Sequence, residues 1–318
     1  AGLAEEARAG SRRALTRLLT AVESRTPVAE AAMRTLYPRA GAAHLVGITG
    51  PPGGGKSTLV SALIATARQA DRPVAVLAID PSSPVTGGAI LGDRIRMLDY
   101  ASDGDVFIRS MASRGHLGGL AGTTAESAAV LDACGFGLVF IETVGTGQSE
   151  VEVASIADTT VVVQAPDMGD EIQALKAGLL EVADIVVVNK ADKPGADRAA
   201  AQLRSMLALG VPAEDAGEVD RPRPKRPDVL LASATEGTGV TELLTALDHI
   251  HDANSGTDRP HAARVARARA QVEGILADRT REAVWATSRR AETDALIERV
   301  ASHELDPYAA ADELLATL

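Results

Sequence analysis

The chain holds a single cysteine, Cys134, in 318 residues, so no disulfide can form within it and a thiolate metal cage from one chain is disfavoured. Aromatics make up only 2% of it, so Ala, Val, Leu and Ile must fill any core, and stacking platforms for single-stranded nucleic acid are scarce. Positive charge is short as well. Lys and Arg number 32 against 43 Asp and Glu, a net charge of −11 that disfavours nucleic acid and anionic membrane as partners. No apolar run approaches the ~20 residues that span a bilayer. The first residues, which open on Ala1 and not on Met, show no basic-then-apolar pattern. These absences lead to the expectation of a soluble, cytoplasmic protein with no nucleic-acid or membrane partner.

What is present supports a large core, since 46% of the residues are hydrophobic. Leu15, Leu18, Leu19 and Val22 are spaced for the buried face of an N-terminal helix, and Pro27 and Gly41 bracket a second, shorter one. From His44 the character changes to seven β-rich runs: "HLVGIT", "PVAVLAID", "DVFIRS", "GLVFIE", "TTVVVQA", "DIVVVNK" and "DVLLAS". Alanine- and leucine-rich amphipathic stretches separate most of them. Apolar strands alternating with helices predict an α/β fold, a mainly parallel sheet flanked by helices on both faces. Ligands of such sheets sit beyond the carboxyl ends of the strands. Gly210 to Asp228 is rich in proline and charge and reads as a surface loop. Beyond "DANSGTDRPHA" the chain turns helical, with Val265, Ala268, Val272, Ile275 and Leu276 on one stripe, a face for the sheet or for a second subunit. Asp306 and Pro307 are set to cap and open a last helix. The expected organisation is a helical extension over 1–42, a nucleotide-binding domain over 43–252 and a helical arm over 253–318.

"GITGPPGGGKST" places Gly50-x-x-x-x-Gly55-Lys56-Ser57 between a strand and a helical pattern. Gly50, Gly53, Gly54 and Gly55 let backbone N–H groups turn to phosphate oxygens. Lys56 offers charge to the outer phosphates, and Ser57, followed by Thr58, brings a hydroxyl to Mg²⁺. The strand "DIVVV" ends in Asn189-Lys190-Ala191-Asp192. A carboxylate there accepts from the N1–H and exocyclic amine of guanine, whereas adenine offers an acceptor at N1 and lacks that amine. Discrimination built on such bonds is large, because the wrong base strands a polar group. Ser233 and Ala234, after "DVLL", fit a small-residue turn behind the base.

Three carboxylates end or follow strands on the phosphate side: Asp80, Asp93 and Glu142. A hard cation bridging phosphates takes oxygen ligands and keeps waters, so one or two suffice. Glu142 holds the usual acidic strand-end position. Asp93 is either a metal ligand or a helix cap, and Asp80, ahead of Pro81, is a ligand or a turn residue. Gln148, after a loop loosened by Gly145 and Gly147, is a candidate to orient water or to cap the next helix. Arg114 and His116, in "SRGHLGG", either bring charge to a closing site or dock a partner.

Several blocks together resemble the MeaB/ArgK GTPases associated with methylmalonyl-CoA mutase: "DPSSPVTGGAILGDRIRM", "FIRSMASRGHLGGLAG", "ETVGTGQSE", "MGDEIQALKAG" and "VNKAD", in that family's order from roughly Gly47 to Ser233. The resemblance implies a homodimeric P-loop GTPase of the metallochaperone class that gates adenosylcobalamin loading into an acyl-CoA mutase and protects that mutase. It implies GTP or GDP and Mg²⁺ as cofactors. By motif, Lys56 and Ser57 would hold phosphate and metal, Asp93 and Glu142 the metal surroundings, and Asn189, Lys190 and Asp192 the guanine. Asp167 to Gln173 would be a switch, and the flanking helices the N-terminal extension and dimerisation arm. Two departures stand out: "DRIRM", where lysine and threonine are frequent after the Asp, and an Arg/Pro-rich loop around Arg221 to Arg226 that lacks a tryptophan often seen there. Two other classes stay open, a nickel-delivery GTPase and a kinase of a transport protein. Six scattered histidines and one cysteine speak against the first, and a guanine-reading motif against the second.

Overall fold

In a computed structural model the described residues are 2–81, 100, 102–113, 119–143, 149–166, 177–209, 227–255, 259–286 and 290–316. They divide into two compact units, Ala1–Ala263 and Arg264–Leu318.

The first unit is built on the seven apolar runs, which form β1 (His44–Thr49), β2 (Val74–Pro81), β3 (Val106–Ser113), β4 (Leu138–Thr143), β5 (Thr159–Gln164), β6 (Ile185–Val188) and β7 (Asp228–Leu231). All pair in parallel in the order β3-β2-β4-β1-β5-β6-β7. Every residue of β4, β5 and β6 is buried, which is why these strands read as unbroken apolar runs without alternation.

The helices cover both faces. On one face, Leu59, Val60, Leu63 and Ile64 of α4 (Lys56–Gln69) and Leu243 and Leu247 of a helix numbered α9 (Val240–Ser255) close over Val46, Ile48, Val161 and Val163. On the other, α5 (Gly119–Ala133) packs with α1 (Gly2–Arg8), α2 (Arg12–Glu23) and α3 (Pro27–Leu36) over Leu77 and Val139. Also on that side lie α6 (Ser149–Ile156), against Ile79 and Ile141, and α7 (Ala177–Glu181) and α8 (Ala196–Leu209), against Val162, Val186 and Val188. The spacing of Leu15, Leu18, Leu19 and Val22 works as expected: all four are buried on α2. Ser11 caps that helix by accepting from Ala14 N at 3.3 Å, and Thr26 does the same for α3 ahead of Pro27. Arg12 and Arg109 tie α2 to β3. Arg12 donates to the Asp103 and Val106 carbonyls, and Arg109 pairs with Glu23 at 2.5 Å.

α10 (Arg259–Val284) crosses from the first unit into the second, which also holds α11 (Arg290–Ala301) and α12 (Pro307–Leu315). Asp306 caps α12 by accepting from Tyr308 N at 2.9 Å and Ala309 N at 3.1 Å, with Pro307 at the first helical position. Among the described residues no helix is long and apolar enough to cross a membrane. Burial pushes the Cys134 thiol up to about 11, so it offers no thiolate near neutral pH.

Candidate nucleotide site

The strand order brings the predicted residues to one rim. β1 feeds the glycine loop, β4 lies on one side of it, and β5 and then β6 on the other. Two glycines are required sterically. Gly50 has φ 133°, and a Cβ there would overlap the Val163 carbonyl; Gly55 has φ 86°, and a Cβ would overlap the Asn189 side-chain amide. The loop thus lies directly on β5 and against the end of β6, and α4 starts from its left-handed exit at Gly55.

Lys56 and Ser57 open α4, both buried. Lys56 Nζ donates to the Gly50 carbonyl at 2.8 Å and the Pro51 carbonyl at 3.0 Å, so the ammonium already sits in the curl of the loop. Ser57 Oγ donates to Glu142 Oε1 at 2.5 Å, and Glu142 is only 4% exposed. A hydroxyl and a carboxylate held this close at the first turn of α4 form an all-oxygen donor set, the chemistry of a hard divalent cation. Thr58 follows, half-buried, on the same turn.

Across the loop, Asn189 is 1% exposed and acts as a brace. Its Nδ2 donates to the Gly54 and Gly55 carbonyls at 3.0 and 3.3 Å, and its Oδ1 accepts from Ala234 N at 3.2 Å. The phosphate loop and the turn after β7 are joined through one side chain. Lys190 adopts φ 58°, uncommon for a residue with a Cβ, and its Nζ donates to the Gly53 carbonyl at 2.8 Å. Asp192 is exposed, and its Oδ1 accepts from the buried Ser233 hydroxyl at 2.6 Å. That hydrogen bond, helped by the Lys193 and Lys190 charges, holds its carboxyl below the usual carboxylate range. An ionised acceptor facing solvent beside a small Ser233–Ala234 turn has the form a guanine edge requires.

The structure therefore brings together Gly50, Gly53, Gly54, Gly55, Lys56, Ser57 and Glu142 on the phosphate side, and Asn189, Lys190, Asp192, Ser233 and Ala234 on the base side. Asp80 belongs to β2 by its backbone, in register with Ala112, but its side chain lies outside the described part. Asp93, Arg114, His116, Gly145, Gly147, Gln148, the 167–173 segment and Arg221 to Arg226 lie outside the described residues. Sequence reasoning missed the polar ends of the central strands. Thr143 donates to Thr49 at 3.0 Å, and both are fully buried, as is Gln164 at 2% exposure. A polar residue closing an otherwise apolar run is the signal that carboxylates such as Asp80 and Glu142 share with Thr49, Thr143 and Gln164.

Comparison with known proteins shows the family of the chain. The family described as "Methylmalonyl Co-A mutase-associated GTPase MeaB" matches residues 15–289. A protein of Pyrococcus abyssi named as a GTPase is 45% identical over 98% of this chain and 95% of its own length. GTPase ArgK of Escherichia coli K12 is 40% identical over 76% of this chain and 72% of its own. The crystal structure of a LAO/AO transport system kinase superposes with a TM-score of 0.69 at 27% identity, covering 99% of this chain and 96% of that one. The chain belongs to the MeaB family of GTPases.

Proposed function

We propose that this GTPase is a chaperone of an adenosylcobalamin-dependent acyl-CoA mutase, gating cofactor loading and protecting the mutase, and that it works as a cytoplasmic homodimer with Mg²⁺. The observation that carries this reading is the family match over residues 15–289, whose description ties the family to methylmalonyl-CoA mutase. Hydrolysis in such a site rests on positioning and charge neutralisation. Lys56 would leave the Gly50 and Pro51 carbonyls for the outer phosphates, its charge being close by. Ser57 and Glu142 would hold Mg²⁺ by their paired oxygens, and the ion would supply further neutralisation at those phosphates. Asp192 would select guanine, with Ser233 keeping its carboxylate ionised and oriented. Gln148, Arg114 and Asp93 keep their proposed roles: water orientation, a charge brought in by the partner, and a second metal-side acid.

The dimer reading draws on α10, where Val265, Val272, Ile275 and Leu276 are 50%, 55%, 41% and 58% exposed on a helix otherwise rich in charge. Such a stripe fits a second copy better than solvent. Leu276→Glu is expected to convert a dimer to a monomer in light scattering; a wild-type chain that is already monomeric at micromolar concentration would end this part of the proposal.

The function is tested by capture from the source cell on immobilised protein loaded with GDP or a non-hydrolysable GTP analogue. An acyl-CoA mutase retained in a nucleotide-dependent way, and GTP hydrolysis faster in its presence, are expected. Equal rates with and without a verified partner mutase would refute the chaperone reading. The transport-kinase name of the solved relative gives a second reading, phosphoryl transfer to a protein. It predicts labelled phosphate on a protein acceptor in place of free phosphate, and tighter ADP than GDP binding. The ionised Asp192 opposes an adenine preference.

A further inference from the structure

We infer that Gln164 is a positioning residue for the GTP-bound state, its buried carboxamide N–H serving an acceptor present in that state and absent from the GDP-bound one. The inference concerns the GTPase cycle and does not depend on which partner the protein serves.

Its place in the sheet is the first ground. β1 carries the phosphate loop and is flanked by β4 and β5. β4 contributes Glu142 at its end, and β5 ends in Gln164. The backbone around Gln164 is fixed to the site on two sides. Gly50 and Gly54 rest on the carbonyl of the preceding Val163, and Gln164's own carbonyl accepts from Asn189 N at 2.7 Å. Any movement of the loop or of the Asn189 brace therefore bears directly on this residue.

The side chain supplies the second ground. Val161 and Val163 belong to the core beneath α4, while Val162 belongs to the opposite face, so alternation sends Gln164 to the face of Val162. Thr49 is in register with Val162, and Thr143 donates to Thr49. Three adjacent central strands, β4, β1 and β5, thus end in buried polar residues, Thr143, Thr49 and Gln164. The two threonines answer one another. Gln164 Nε2 is buried and has no hydrogen-bond partner among the described residues. Packing gains nothing from such a group: methionine would fill a similar volume without a stranded donor, which lowers stability wherever it is left. A donor kept at this cost at the end of the strand beneath the phosphate loop is accounted for by an acceptor that arrives during the cycle. GTP and GDP differ only in the outer phosphate, and ligands of a parallel sheet lie beyond the carboxyl ends of its strands, the rim at which Gln164 closes β5.

The test compares wild type, Gln164→Met and Gln164→Leu for melting temperature without nucleotide, and for affinity toward fluorescent GDP and a fluorescent non-hydrolysable GTP analogue. Both variants are expected to melt at or above the wild-type temperature and to bind GDP within twofold of wild type. They should bind the GTP analogue about tenfold more weakly, the equivalent of about 1.4 kcal/mol. Equal loss for both nucleotides, no loss for either, or unfolding of both variants would overturn the inference, because each would make Gln164 a packing or general support residue. Preference of the wild-type protein for GDP over ADP is read in the same titration, and its failure would indict the base site and leave Gln164 untouched.

Discussion

Asn189→Ala distinguishes a brace from a base contact. The side chain is buried and makes three hydrogen bonds, to the Gly54 and Gly55 carbonyls and from Ala234 N. At a net ~1 kcal/mol for a well-formed bond and less for the two longer ones, their loss is expected to cost about 2–3 kcal/mol. With about 2–4 °C per kcal/mol for a domain of this size, the nucleotide-free protein should melt roughly 5–10 °C lower. The loop that Asn189 holds would also lose its tie to the base turn, weakening GDP and GTP alike by about tenfold, or about 1.4 kcal/mol. The extra stability from saturating GDP should shrink by that amount. Differential scanning fluorimetry with and without GDP, paired with a fluorescent-nucleotide titration, reads both effects. Unchanged melting of the nucleotide-free variant beside a lost GDP affinity would refute the brace and return Asn189 to a role in contacting the base.

Asp192→Ala should lower the melting temperature without nucleotide only modestly, through the hydrogen bond that the buried Ser233 hydroxyl loses, and weaken GDP by at least ~10²-fold in the same titration. A loss smaller than tenfold would remove it from the base site. His44 is buried 1% exposed at the opposite end of β1, bonded to Thr159 at 2.8 Å and stacked on His251 at 4.5 Å. Burial first, and the His251 charge second, lower it from 6.5 to about 4, against the opposing charges of Asp158 and Asp248. The unfolded chain takes up its proton first as pH falls, so stability present at pH 7 should be lost between pH 6.5 and about 4, approaching ~3 kcal/mol. Urea titrations across that window should show a steeper loss in wild type than in His44→Gln; parallel curves would refute it. Arg109→Ala breaks a pair 14% and 19% exposed that fastens α2 to β3. It should cost about 1–2 kcal/mol in urea unfolding while leaving GDP affinity within twofold; weakened GDP binding would mean that the N-terminal helices support the site directly.

The strands were legible because a parallel sheet covered on both faces leaves no solvent-facing positions to interrupt the apolar runs; Val161 to Val163 and Ile185 to Val188 are fully buried. The phosphate loop was legible for a steric reason, since no residue with a Cβ fits at Gly50 or Gly55. The strand order was not legible in the same way. Chain order runs from β1 to β2, yet β4 and β5 flank β1, and that adjacency depends on long-range pairing such as Val46 with Phe140 and with Thr159. Everything that rests on the adjacency was hidden with it. "VNKAD" announces a guanine site, but that its Asn189 grips the phosphate loop follows only when β6 stands two strands from β1.

The same adjacency gives strand-end polarity its meaning. Glu142 with Thr143, Thr49 and Gln164 are the polar endings of three apolar strands, separated by tens of residues in the chain from one strand to the next, and side by side once β4, β1 and β5 align. Each costs stability at a position that valine would fill more cheaply. Glu142 offsets that cost through Ser57, and the threonines offset theirs through each other. Gln164 keeps a stranded donor on this rim, at a strand end whose backbone meets both the glycine loop and the Asn189 brace. A site whose ligand differs between two states by one phosphate needs at least one group that is better satisfied in one state than in the other, and this rim has such a group beneath the loop that binds phosphate.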